Sequence, residues 1–186
     1  VTGWLEWPWA VASVGVPFAL GLAAFLIGRR SHAAVAWIAA VVVPIVAGGL
    51  VWQVAARGVV RVAVGGWGRP LGIELQADAL SALMVVLSAV VGAATCVYAR
   101  IYLDEDAGRI AFWPLWLLLW GSLNALFLSA DAFNLYVTLE LATLASVGLV
   151  CVGGGSEARR AAFRYLVVAL VGSLGYLVGV GLLYAA

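Results

Sequence analysis

Apolar residues fall into six long runs, separated by short polar or glycine-rich stretches. The runs predict helices over 8–28, 33–56, 77–102, 111–130, 132–152 and 161–184, each near the roughly 20 residues that cross a hydrocarbon core. Clear turn signals lie between them. Gly28-Arg29-Arg30-Ser31 closes the first run, Asp104-Glu105-Asp106-Ala107-Gly108-Arg109 follows the third, and Gly153-Gly154-Gly155-Ser156-Glu157 follows the fifth. Only Ser129-Ala130-Asp131 separates the fourth from the fifth, a tight turn that suits Ser129 or Asp131 as a helix N-cap. Residues 57–76 break the pattern. They carry Arg57, Arg61, Arg69, Glu74 and a Gly65-Gly66-Trp67-Gly68-Arg69-Pro70 turn, too polar to span and too short for a domain. The expected organisation is two N-terminal helices over 1–60, an extracytoplasmic loop or hairpin over 61–76, and four helices over 77–186.

Composition supports this reading. Hydrophobic residues are 66% of the 186 and charged residues 10%, against about 25% charged in a soluble domain. Mean hydropathy is +1.12. The class is therefore all-α and integral to the membrane, with about six transmembrane helices. The net charge of +1, with no lysine, excludes a basic patch for nucleic acid and implies no acidic partner. Cys96 and Cys151 lie in or beside apolar runs and form no disulfide framework, and no Cys/His cluster has metal spacing. His32, beside Arg29 and Arg30, reads as a solvated surface residue. Glu6 stands where a signal peptide would be basic, and Val1 suggests a start that is processed, differently initiated or cut from a longer chain.

Arginine sets the expected orientation. Arg29, Arg30, Arg100, Arg109, Arg159 and Arg160 fall on one side, Arg57, Arg61 and Arg69 on the other. The first side is expected to be cytoplasmic, which leaves both termini extracytoplasmic on a multi-pass protein of the cell membrane. Trp4, Trp7, Trp9, Trp67 and Trp113 fall near predicted helix ends, as an interfacial aromatic belt requires. Gly175 and Gly179 form a small-xxx-small pair suited to close helix approach.

Glu140 is the most informative residue. It lies near the middle of the fifth run, where a charge costs about 2.5–3.5 kcal/mol on insertion scales and therefore has a partner or a task. Burial raises the pKa of such a carboxyl and a nearby cation lowers it, so one balanced between the two can take up and release a proton. A structural ion pair is the bland alternative. Arg164 lies inside the sixth run, offset from Glu140 by about 10 Å on helical rise, too far for a direct bridge without water or a polar side chain. It could also snorkel to the surface. Asp78 opens the third run as a path residue or simply an N-cap, and Asp131 and Asn134 also suit caps. Asn124, Thr138, Thr143 and Ser146 could line a hydrated path or stitch helices together.

Three stretches then fit together. They are Gly65-Gly66-Trp67 through Gly72-Ile73-Glu74-Leu75 into Ala77-Asp78-Ala79-Leu80-Ser81-Ala82-Leu83-Met84, Asn124-Ala125-Leu126-Phe127-Leu128-Ser129-Ala130-Asp131-Ala132-Phe133-Asn134-Leu135-Tyr136-Val137 ending in Glu140, and Arg164-Tyr165 through Gly172-Ser173 to Leu182-Leu183-Tyr184. In this order, over about residues 60–186, they resemble the antiporter-like membrane subunits shared by respiratory complex I, Mrp-type sodium/proton antiporters and membrane-bound hydrogenases. The similarity looks greatest to the Mrp D subunit and its complex I relatives.

That resemblance implies that Glu140 matches the acidic residue of the fifth helix, central to the family's proton path. Arg164-Tyr165 matches a Lys-Tyr pair, and an Arg in place of Lys hardly deprotonates, so field tuning fits it better than proton relay. It also implies an N-terminal portion of a fold of about fourteen helices, built from two inverted repeats, with the seventh helix and its buried Lys lying beyond this chain.

The sequence therefore reads as part of a proton-translocating subunit, with sodium/proton exchange as one form of that activity. Its expected path residues are Glu140, Arg164, Asp78, Asn124 and Thr138, and its expected partners are other membrane subunits, the exchanged ions and the lipid bilayer. No cofactor is expected. Whether the assembly is an enzyme stays open, and any oxidoreductase activity would belong to partner subunits. The competing reading is a structural membrane subunit that conducts nothing, and a third is an unrelated small transporter.

Overall fold

The computed structural model describes residues 7–27, 32–64, 72–102 and 107–185. Six helices account for most of them: α1 (Trp9–Ile27), α2 (His32–Arg57), α3 (Ala79–Tyr102), α4 (Ala107–Leu128), α5 (Ala132–Val152) and α6 (Gly155–Ala185). All six contain a stretch long and apolar enough to cross a membrane. Prolines at 17, 44 and 114 sit inside α1, α2 and α4, which membrane helices tolerate where neighbours re-satisfy the freed backbone. Their outward faces are apolar too: Phe25 is 73% exposed, Ile101 82% and Val168 73%. Faces of that kind belong against lipid rather than water. The protein is a multi-pass membrane protein.

Helix ends follow local chemistry. Gly58 takes φ +73 after α2 and its N–H donates to Val54 O at 2.8 Å, the left-handed stop that glycine adopts without a Cβ clash. Asp131 caps α5, its Oδ1 accepting from Asn134 N at 2.7 Å. Gly154 and Gly155 have φ +73 and +79, so α5 reverses into α6 through two consecutive left-handed residues.

Packing is graded. α1 packs on α4 and α2, α2 on α3, and α4 also on α3 and α5, while α6 packs chiefly on α5. Within their spanning windows α4 is 44% buried and α6 only 6%, which makes α4 the centre of the bundle and α6 its periphery. Glycines let the central helices close. The Trp120 ring occupies the space where a Cβ on Gly92 would stand, Trp9 does the same at Gly49, and the Phe18 ring lies 3.2 Å from a Cβ placed on Gly121. Trp113, expected in the interfacial belt near a helix end, lies on the inner face of α4 and is fully buried in the core. Trp4 and Trp67 lie outside the described residues.

Between α2 and α3 the chain forms an antiparallel hairpin of β1 (Val60–Ala63) and β2 (Glu74–Ala77), in the register Val60↔Ala77 to Ala63↔Glu74. Arg61 Nε donates to Gln76 Oε1 across the strands at 2.9 Å. The other edge of β2 is held by the α4–α5 turn, where Ala130 N donates to Glu74 O at 3.1 Å and Leu75 bridges Ser129. Hairpin and turn therefore share one side of the bundle.

Candidate functional site

Glu140 is the ninth residue of the 21 in α5, close to the middle of the span. Its side chain is half-buried, and no described residue hydrogen-bonds to it or pairs with it. A charge near the middle of a span costs about 2.5–3.5 kcal/mol on insertion scales.

The neighbouring helix fixes its surroundings. Tyr136 stacks on Tyr176 of α6 with ring centroids 6.5 Å apart, and Tyr176 Oη donates to Ala132 O at 3.2 Å. The antiparallel register set by that stack puts Glu140 level with Gly172 and Ser173. Gly172 is exposed, and a Cβ placed on it would meet nothing within 4 Å among the described residues. Arg164 is exposed on α6, with no partner among the described residues. The level of Glu140 is eight residues along α6 from Arg164, about 12 Å at 1.5 Å per residue, so the structure keeps the two charges apart.

The other candidates are spread through the bundle. Thr138 is buried, and its hydroxyl donates to Asn134 O and Leu135 O within its own helix at 3.0 and 2.9 Å. Two residues from Glu140, it faces about 200° away around the helix. Asp78 caps α3: its Oδ1 accepts from Ser81 N at 2.8 Å, and Asp78 N donates to Ser81 Oγ at 2.7 Å. Those bonds hold the Asp78 carboxyl below its ordinary pKa, led by the Ser81 backbone amide and then the Ser81 hydroxyl. Asp78, Gln76, Ser81, Met84, Phe127 and Ser129 line an open cleft of about 220 Å³ between the hairpin and the ends of α3 and α4. Asn124 is fully buried in the α1–α3–α4 core, where Nδ2 donates to Ser13 O at 2.8 Å and Oδ1 accepts from Ser88 Oγ.

Ser13, Ser88 and Tyr176 escape sequence reasoning. For Ser88 a signal existed in the small residues Ser81, Gly92, Cys96 and Ala99 on the buried face of α3, which allow a helix with polar side chains to approach. At the head of α5, Asp131 Oδ2 and Asn134 Nδ2 are buried without a partner among the described residues. Two such groups one turn apart suit ordered water.

Six apolar helices, one with an ionisable group near its middle, define a multi-pass membrane protein. The profile of NADH-Ubiquinone oxidoreductase (complex I), chain 5 N-terminus, matches residues 68–113. The chain is 33% identical over 141 residues to the D subunit of the Na(+)/H(+) antiporter of Bacillus subtilis (strain 168), covering 76% of this chain and 29% of that protein. It is 42% identical over 127 residues to the N subunit of the NADH-quinone oxidoreductase of Desulforudis audaxviator (strain MP104C), covering 67% of this chain and 25% of that one. Its fold matches a chain of the Mrp complex from Dietzia sp. DQ12-45-1b with a TM-score of 0.80 and 26% identity, over 95% of this chain and 34% of that one. Over these stretches the chain is similar to the antiporter-like membrane subunits, the Mrp D subunits and their complex I counterparts. It spans about a quarter to a third of the length of the relatives it matches.

Proposed function

We propose that the chain is part of a subunit that moves cations across the cell membrane, with the proton carried by Glu140. The observation behind this reading is a half-buried carboxyl near the middle of a span, with no partner among the described residues. An ionisable residue inside a span is by default a functional one, and a carboxyl is a group that can take up and release a proton. Arg164, two turns away on α6, acts at a distance. As an always-charged group it tunes the field at Glu140 rather than relaying protons. Asp78, ionised at the rim of the cleft beside the hairpin, serves as the polar entry, and Thr138 with Asn134 provides a hydrated edge to α5.

The names of the relatives support cation exchange, with sodium as the counter-ion of the B. subtilis protein. Other membrane subunits are the proposed partners, and the exposed outer face of α6 gives them a place to pack. The arginine distribution supports extracytoplasmic termini.

The test is Glu140→Gln in the complete assembly, reconstituted into vesicles with a pH-sensitive dye inside. Loss of gradient-driven proton flux with the assembly intact is expected. Full flux in the variant would remove Glu140 from the path, and failed assembly would favour a structural, non-conducting subunit.

A further inference from the structure

Pro17 stands in the interior of α1 and is fully buried. In an α-helix the N–H of residue 17 would donate to the carbonyl of residue 13, and proline has no N–H. The carbonyl left without its helical donor is that of Ser13. It is this carbonyl that receives Asn124 Nδ2, across 111 residues of sequence, at 2.8 Å. A carbonyl oxygen only accepts, so the contact also fixes which way the amide points, with Nδ2 to Ser13 O and Oδ1 to the Ser88 hydroxyl.

We infer that Asn124 is a positioning residue whose amide replaces the backbone donor that Pro17 removes, clamping α1 to α4 and, through Ser88, to α3. A bare carbonyl in the hydrocarbon region has no water to turn to, so a neighbouring side chain must supply the hydrogen. The flanking contacts hold the two helices in this register. Phe18 packs over Gly121, and Gly21 sits against Leu117 Cβ and Pro114 O, each 3.3 Å from where its Cβ would be. Asn124 is thereby withdrawn from the set of path residues. Its donor and acceptor are both engaged by the core, and the clamp holds whatever ion the subunit carries.

The dependence on Pro17 makes this testable. Pro17→Ala restores the amide at residue 17, so the Ser13 carbonyl regains its own helical donor. The complete assembly is compared in native membranes by thermal aggregation of a tagged chain and by proton flux. In the Pro17 background, Asn124→Leu is expected to lower the aggregation temperature and reduce flux. In the Pro17→Ala background, the same substitution is expected to shift the temperature far less and to leave flux at the level of Pro17→Ala alone. Ser88→Ala is the control: it removes only the α3 arm and should cost the same in both backgrounds. Equal losses from Asn124→Leu in both backgrounds would overturn the clamp. So would flux that stays absent in the double variant while stability recovers, since that outcome places Asn124 in the path. Rescue of Ser88→Ala by Pro17→Ala would overturn it as well, because the proline change would then be acting non-specifically.

Discussion

Glu140 and Arg164 sit on adjacent helices and do not meet. The sequence offset of about 10 Å and the structural one of about 12 Å agree because both helices are regular, so counting residues along a straight rod suffices. What counting missed is rotation. Thr138 is near Glu140 in sequence yet points to the other side of α5, its hydroxyl spent on its own backbone. Nor could the partner of Asn124 be read from the sequence. A proline at 17 in a helix points to a freed carbonyl at 13, but only the fold shows that a side chain 111 residues away reaches it. Asp78 was legible as a cap because Asp-x-x-Ser at a helix start has a local explanation. Asp78→Ala should lower stability by about 1 kcal/mol in detergent unfolding. The pH dependence has a definite sign. A carboxyl held below its ordinary value of 3.8 stabilises above that pH and loses its contribution as pH falls through the lowered value. The gap between wild type and variant should therefore be constant near neutrality and close only in strong acid. A gap that widened on acidification would contradict the cap.

At the scale of elements, the six apolar runs were legible because a span has to be long and apolar, whatever its neighbours. The first helical turns of α4 and α6 were not, since Ala107-Gly108-Arg109 and the charged residues at 157–160 read as loop. Helices that extend beyond the bilayer carry such residues, and α6 begins at Gly155. The hairpin register was also out of reach. Val60–Ala63 and Glu74–Ala77 are only four residues each, and their pairing is helped by Arg61–Gln76, a contact visible only after folding. Close approach of α3 and α4 depends on Gly92, where any side chain would overlap the Trp120 indole. Gly92→Ala should cost about 1–3 kcal/mol by overpacking. Gly92→Ala together with Trp120→Leu should recover part of it. Additive losses in detergent melting would show that the two residues do not share one contact. The Gly175/Gly179 pair marks the opposite situation, because a Cβ at either would meet no described atom within 4 Å, so the pair has no close-packing partner among the described residues.

For the whole molecule, burial falls from the α1–α4 core to α6, in a chain that spans about a quarter to a third of the length of the relatives it matches. The topology proposed from arginine puts the α5–α6 turn in the cytoplasm and the Asp131 turn outside. Reporter fusions at Gly154 and at Ala130 should register in opposite compartments, and the same compartment for both would break the six-span arrangement. The hairpin then lies outside with the Asp131 turn, and its docking has a consequence for biogenesis. Strand β2 leaves the ribosome well before residues 129 and 130, which complete its edge, and those residues reach the outer side only after α3 and α4 have both been threaded through the bilayer. In that topology the hairpin reaches the outer side before the residues that complete its edge. Pairing at Glu74 and Leu75 then forms only in a chain whose α3 and α4 have both been inserted, so the strand edge and the helix pair are completed together.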